Sequence, residues 1–306
     1  MTARRYELVH RTTYRYPAPV STSYGRAVLL PRDLPDQQRL AADVTVDPAP
    51  SDSARHRDWF GNTSVYYAVT TPHTTLTVTA TSTLEVSRRP ARVAELPPVP
   101  WEEVAALVAA GAVMPGLADP TTPVDLREAV LPSRHVDPSG AVRDWAAPSF
   151  VPGRPAGAVL ADLAHRIRTG LTYRSGSTTI ATTQAELLAS GAGVCQDFAH
   201  LMIAALRAFG LPARYTSGYV ETLPPPGRPK IRGADASHAW VSAWLPGAGW
   251  VEVDPTNDQF VGDRYVVLGW GRDYGDVPPL RGVIFTEGGG ARPEVSVDLH
   301  PVATPG

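Results

Sequence analysis

Cysteine is almost absent from this sequence of 306 residues, because Cys195 is the only one. A single cysteine excludes an internal disulfide and is typical of a chain in a reducing compartment. An excess of charge of one sign is also missing, since 28 basic and 30 acidic side chains give a formal net charge of −2. We therefore expect no nucleic acid and no other polyanion as a partner.

Long apolar runs are missing as well. No run approaches the ~18 apolar residues that a membrane span needs, and the first residues lack the apolar stretch of a signal peptide. We therefore expect a cytoplasmic protein that does not associate with membranes. Apolar residues still make up 43% of the sequence, which is enough for a globular protein with a sizeable core.

The pattern along the chain changes twice and predicts an α+β fold. Residues 1–88 alternate with period two, as in Tyr6, Leu8 and His10, and predict an N-terminal antiparallel β-sandwich domain. Residues 89–155 are rich in proline and large apolar groups, and predict a helical connector packed on the core. Residues 156–306 predict a catalytic domain of helices followed by strands at 213–220, 237–245 and 250–254, with further C-terminal strands. Between the first two strands, Pro224 to Gly227 predicts an exposed loop.

Cys195 stands where a glycine-rich turn meets a predicted helix. Gly191 and Gly193 precede it, and apolar residues spaced three and four apart predict a helix over 196–209. A thiol in the first turn of a helix experiences the positive end of the helix dipole and the unpaired backbone N–H groups. That placement favours the thiolate, which is the reactive form. The same N–H groups can hold a developing oxyanion.

Two further residues supply the imidazole and the orienting group that thiol-based acyl transfer needs. His238 lies in the predicted strand 237–245, Asp254 ends the strand 250–254, and the turn between them predicts a hairpin. In that hairpin His238 is the diagonal neighbour of Asp254, about 7–8 Å away at Cα. Pro255 ends the strand and leaves the carboxylate at the edge of the sheet. The three residues predict a Cys-His-Asp triad.

Each of these residues also fits a structural role. A lone cysteine is usually a small buried hydrophobe, His238 fits a core position, and Asp254 before a proline fits a turn. The catalytic interpretation is favoured because all three occur together, in the elements that the chemistry requires. His200 lies five residues after Cys195 on the same helix, so it points away from the thiol and is not expected to be its base.

Several separated segments are similar to a known family. Residues 193–200, Gly-Val-Cys-Gln-Asp-Phe-Ala-His, resemble the nucleophile segment of bacterial transglutaminase-like proteins, and segments 212–219, 237–240 and 254–257 resemble its following strand, histidine and aspartate segments. Residues 171–173 and 271–274 also match, and the sheet with the turn at 60–62 resembles the β-domain that precedes the catalytic domain. The resemblance implies a papain-like core with its triad at Cys195, His238 and Asp254.

The resemblance implies acyl transfer on amide bonds through a thioester on the cysteine. Hydrolysis of that thioester, which we expect, makes the protein a peptidase or amidase acting on a peptide or protein. Attack by an amine makes it a protein-glutamine amine transferase, and a non-catalytic interaction module is the third alternative. Tyr173, Gln196 and Trp240 are candidate contacts to the oxyanion or the substrate.

Other classes of enzyme lack their motifs. The sequence contains no His-Glu-x-x-His cluster, no Gly-x-Ser-x-Gly elbow and no phosphate-binding loop. Asp273 and Asp276 are not arranged as a calcium loop. We therefore expect neither a metal nor a cofactor.

Overall fold

A computed structural model of the protein describes residues 3–112, 121–222 and 237–302. The predicted loop at Pro224 to Gly227 lies outside the described residues. The helices are α1 (Trp101–Ala109), α2 (Pro123–Glu128), α3 (Gly140–Ala146), α4 (Ala156–Gly170), α5 (Gln184–Ser190) and α6 (Cys195–Ala208). The strands are β1 (Arg4–Ala27), β2 (Gln37–Asp47), β3 (Asp52–Arg57), β4 (Thr63–Val69), β5 (His73–Val86), β6 (Thr172–Tyr173), β7 (Ala192–Gly193), β8 (Ala213–Val220), β9 (Ser237–Leu245), β10 (Gly249–Asp254), β11 (Gln259–Phe260), β12 (Tyr265–Gly271), β13 (Leu280–Thr286) and β14 (Pro293–Val302).

The first sheet is built around β1, a strand of 24 residues whose side chains alternate between buried and exposed in its first half. Along one side of β1, β5 pairs with the first half and β4 with the second half. In turn, β2 pairs with β5 and β3 pairs with β4, and all of these pairs are antiparallel. Both halves contribute to one apolar cluster, which includes Tyr6, Leu8 and Val20 from β1. The antiparallel β-structure predicted for residues 1–88 is therefore present.

The other side of β1 is occupied by the end of the described chain. In the structure β14 pairs with residues 5–14 of β1, and β13 pairs with residues 20–27. From the sequence these C-terminal strands are predicted to belong to the catalytic domain, whereas they complete the first sheet. The alternation of apolar and polar residues shows which side of a strand is buried, but it does not show which strand pairs with it.

The second sheet has five antiparallel strands in the order β11-β10-β9-β8-β12. The helix α6 packs on it, and its residues from Asp197 to Arg207 are all buried. A helix that is buried all round belongs to the centre of a core. Strands β9 and β10 pair around the predicted turn, with Val253 opposite Val241. Apolar residues of 89–155, such as Val104, Leu126 and Val142, lie in the same cluster as α6.

Two side chains of the first domain bind the open edge of β12. Asn62 is fully buried; its Oδ1 accepts from the N–H of Trp270 at 3.0 Å, and its Nδ2 donates to the Trp270 carbonyl at 2.8 Å. The amide of Gln37 makes the same pair of bonds to the N–H and carbonyl of Val267. These bonds satisfy backbone groups that an edge strand otherwise leaves unpaired. They fix the two domains against each other.

Candidate active site

Cys195 is the first residue of α6 and is half-buried. Gly191 ends α5 with φ of 66°, a left-handed conformation that favours glycine. A Cβ at Gly193 would lie 2.6 Å from Cδ1 of Leu187 and 2.9 Å from Oδ2 of Asp197, so a larger residue here would displace these side chains. The carboxylate of Asp197 accepts the N–H of Val194 at 2.8 Å, which reduces the unpaired groups at the helix start. These contacts fix the first turn, which carries the thiol.

His238 and Asp254 are hydrogen-bonded, with 2.7 Å between Nε2 and Oδ2. His238 lies near the start of β9, and Asp254 is the last residue of β10 and is fully buried. The same carboxylate accepts from the Tyr265 hydroxyl at 2.7 Å, from Asn257 Nδ2 at 2.6 Å and from the N–H of Thr256 at 2.9 Å. With these partners both carboxylate oxygens are occupied, so the group is held in one orientation.

The charges of these groups stabilise one another. Burial lowers the pKa of His238, but hydrogen bonds and charges from Asp254 and Cys195 outweigh it and raise the pKa of His238 to about 10. Because Nε2 is bound to Asp254, Nδ1 is the ring nitrogen left for the thiol. Burial likewise raises the pKa of Asp254, but His238, Tyr265 and Asn257 hold that pKa below its usual value. An imidazolium beside the Asp254 carboxylate is therefore favoured at neutral pH.

The structure brings together the three residues predicted as the triad and places the other candidates differently. Tyr173 is 54% exposed; its ring lies 6.3 Å from that of Phe198, and burial together with the charge of Cys195 raises the pKa of Tyr173. Gln196 is half-buried in the first turn of α6. Trp240 is fully buried with its ring 6.1 Å from that of His238, so it supports the imidazole rather than lining a cleft.

Sequence reasoning missed three residues of this site. Asn257 belongs to the segment 254–257 that resembles the aspartate segment, so its position beside the carboxylate had a local signal. Tyr265 reaches Asp254 from β12, and nothing in the sequence around it indicates that contact. Tyr215 on β8 is buried, and burial followed by the charge of Cys195 raises the pKa of Tyr215.

His200, the other histidine near the thiol in sequence, has a structural role. It is buried; its Nε2 accepts the N–H of Tyr274 at 3.1 Å, and its ring stacks on that of His135 at 5.9 Å. Burial lowers the pKa of His200 to about 3, so the ring is neutral. The prediction that His200 does not serve Cys195 agrees with this geometry.

Within residues 3–112, 121–222 and 237–302, no group of three or more His, Cys, Asp or Glu side chains is placed to hold a metal ion. In the same ranges, no helix has the length and apolar character that crossing a membrane requires.

Comparisons with known proteins identify the family. The family model of the bacterial transglutaminase-like N-terminal region matches residues 6–85, and that of the transglutaminase-like superfamily matches residues 152–255. Uncharacterized protein Rv2569c of Mycobacterium tuberculosis is 49% identical over 303 residues, covering 97% of this chain and 93% of the relative. A crystal structure of a candidate cysteine protease from Cytophaga hutchinsonii is similar in fold, with a TM-score of 0.70 and 20% identity over 100% of this chain and 93% of that one.

A further match is shorter. A protein-glutamine gamma-glutamyltransferase of Pseudomonas aeruginosa is 43% identical over 65 residues, which cover 21% of this chain and 10% of that protein. The chain therefore belongs to the transglutaminase-like superfamily and carries its bacterial N-terminal region, as its resemblance implied. Membership of this superfamily supports cysteine-based acyl transfer as the general chemistry.

Proposed function

We propose that this protein is a cysteine peptidase or amidase that hydrolyses amide bonds through a thioester on Cys195. The observation that carries the proposal is the series of contacts from the Cys195 thiol through the His238 ring to the buried carboxylate of Asp254. A nucleophile, a base and a group that orients the base are the three parts of this chemistry. Membership of the superfamily supports the same mechanism.

The first half-reaction forms the thioester. The thiolate of Cys195 attacks the carbonyl carbon of the amide, and the oxygen becomes an oxyanion near the unpaired N–H groups of the first turn of α6. The imidazolium of His238 gives its proton to the leaving nitrogen, and the C–N bond breaks. Asp254 keeps the ring in the orientation and tautomer that both proton transfers need. Tyr173 and Gln196 are the predicted side-chain contacts to the oxyanion or substrate.

The second half-reaction decides between hydrolysis and transfer. In hydrolysis, neutral His238 takes a proton from water, the hydroxide attacks the thioester carbonyl, and the acid leaves with regeneration of the thiolate. In the alternative function, a primary amine attacks instead and a new amide forms. The short match to a protein-glutamine gamma-glutamyltransferase is the observation that favours this alternative.

The test uses a peptide library with purified protein, and mass spectrometry of the products with and without an added primary amine. Hydrolysis predicts acid products that take up oxygen from isotopically labelled water, and little diversion to amide. Predominant formation of the amide would favour amine transfer. The control is Cys195→Ala, which must lose both products.

The rate at which Cys195 is alkylated distinguishes an enzyme from an interaction module. A thiolate paired with an imidazolium reacts rapidly with iodoacetamide at neutral pH, and His238→Ala should slow that reaction. Because Cys195 is the only cysteine, the modification is read on the intact protein. Slow alkylation in the wild type that His238→Ala leaves unchanged would contradict the catalytic proposal.

A further inference from the structure

A cavity of about 930 Å³ lies between the two domains and takes no part in the chemistry above. One wall comes from the first domain, including Arg32 and Trp59, and the other from the second sheet, including Ser242 and Trp270. Cys195, His238 and Asp254 are not among the described residues that line it. Its volume is in the range of sites for small molecules, which often lie between domains.

Flat groups from both domains line the cavity. The guanidinium carbon of Arg32 lies 3.5 Å from the ring centroid of Trp270, and that of Arg214 lies 3.8 Å from Trp270 and 4.0 Å from Trp250. Trp59 is 76% exposed, and its indole N–H donates to Glu128 at 3.1 Å. Indole and guanidinium planes held in this way are surfaces on which a planar ring can stack.

Positive charge exceeds negative charge around the cavity. Six arginines and four acidic side chains are among its described lining residues. Arg88 is paired with the carboxylates of Asp36 and Glu252. Arg32, however, donates to two neutral acceptors, the carbonyl of Phe60 and the amide oxygen of Asn62.

The charge of Arg32 persists at neutral pH, because burial lowers the pKa of Arg32 only to about 10. Arg89 is exposed, and no carboxylate of the described residues forms an ion pair with it or with Arg32. The cavity therefore carries cationic groups whose charge the described residues do not neutralise by direct pairing.

Two polar groups in the wall have no hydrogen-bond partner among the described residues. Among the described residues none binds the Oγ of Ser242, which is fully buried. The Nη1 atom of Arg88 is also without a hydrogen bond there, although it lies 3.2 Å from the Glu252 carboxylate. Buried donors of this kind cost stability until an acceptor reaches them.

We propose that this cavity binds a small anion with a planar apolar ring, its carboxylate facing the arginines and its ring packed against the indoles. Arg32 and Arg89, which form no ion pair with a described carboxylate, select the charge, since arginine binds planar carboxylates well. Trp59, Trp250 and Trp270 select the ring. The ligand differs from the acyl substrate of Cys195, because Cys195, His238 and Asp254 are not among the described residues that line the cavity.

Calorimetric titration of the full chain with 2-naphthoate tests the proposal, with three related probes. The neutral 2-naphthamide removes the charge, and cyclohexanecarboxylate removes the planar ring. N-acetyltryptophan presents a ring and a carboxylate in the form found at the end of a peptide. Tighter binding of 2-naphthoate than of N-acetyltryptophan would identify the natural ligand as a free small molecule and not a peptide end. We expect saturable binding of one 2-naphthoate per chain and at least about threefold weaker binding of the amide and the saturated acid.

Two variants test whether the ligand binds in the cavity. Trp59→Ala and Arg89→Gln alter exposed side chains, so the fold should persist. Each should weaken the binding of 2-naphthoate at least about threefold. The matched controls are Phe285→Ala and Arg11→Gln, which alter exposed residues outside the cavity and should leave binding unchanged. Absence of saturable binding, equal binding of the amide, or equal weakening by the controls would overturn the proposal.

Discussion

His200 and His238 both have little exposed surface in the second domain, yet their surroundings move their pKa values in opposite directions. His200 lies in the middle of α6, and burial lowers its pKa to about 3. His238 lies near the start of β9, where Asp254 and Cys195 raise its pKa to about 10 in spite of burial. Burial by itself therefore removes the charge of a histidine, and directly bonded partners such as the Asp254 carboxylate restore it.

The partners explain the contrast. His200 accepts a backbone N–H from Tyr274 on Nε2, a bond that requires an unprotonated nitrogen. The carboxylate of Asp273 raises its pKa, but less than burial lowers it. Asp254 lies 2.7 Å from His238. One site suits a fixed neutral ring in a core, and the other suits a proton that is held and then released.

Asp254→Asn should have the largest effect, because it removes the negative charge that holds the imidazolium while it preserves the shape of the side chain. We expect kcat/KM for a cleaved peptide to fall by roughly 10³–10⁴. The measurement is steady-state kinetics on protein whose Cys195 content is checked by thiol titration. Asp258→Asn is the control, because it breaks a His–Asp pair of similar length with the exposed His165. A loss below tenfold in Asp254→Asn would contradict the assigned role.

The pH profile of kcat/KM should report the raised pKa of His238. The pKa of the His238 ring is raised from the ordinary value of about 6.5 to about 10, so the ring stays protonated up to about pH 10. The alkaline limb of the profile should therefore lie near pH 10. By the same linkage, the stability contributed by this proton is full below 6.5 and is lost as pH rises through 10. Asp254→Asn should move the alkaline limb more than one unit toward 6.5, and an unmoved limb would assign it to another group.

His200→Gln should change how stability depends on acid. In the folded protein His200 stays neutral down to about pH 3, while the unfolded chain takes up this proton below about 6.5. The wild type therefore loses about 2 kcal/mol from this residue between pH 7 and 5. Urea unfolding at the two pH values should show that the variant lacks this loss. His165→Gln alters an exposed histidine and should retain the wild-type loss; equal losses in all three proteins would refute the prediction.

Tyr265→Phe should have the smallest effect of the four. It removes one of the donors to Asp254, so the pKa of Asp254 rises toward its usual value and the carboxylate is held less firmly. We expect kcat/KM to fall about tenfold. Tyr6→Phe is the matched control, since it removes a similar bond, from a buried tyrosine of the first domain to the carboxylate of Glu221 at 2.9 Å. Similar losses in both variants would mean that the effect is general rather than specific to the site.

The parts of the site that the sequence predicted are local. The spacing of apolar residues after Cys195 indicates the helix, and the turn between β9 and β10 makes His238 the diagonal neighbour of Asp254. Both inferences depend on residues within about one element of each other. The catalytic role of the three residues stays a prediction until the variants are measured.

The parts that the sequence did not predict depend on contacts between distant segments. Tyr265 reaches Asp254 from a strand that is not adjacent to β10 in the sheet. The stack of Arg32, Trp270 and Arg214 joins three segments from both domains. Periodicity shows that such residues are partly buried, but the neighbour across an interface follows from the topology of the sheets.

The pairing of β13 and β14 with β1 has a consequence for the order in which the chain acquires structure. A ribosome releases β1 first and these two strands more than 250 residues later. One edge of β1 therefore remains unpaired, and able to pair with other chains, while the second domain is synthesised. The first domain to be synthesised is the last to be completed.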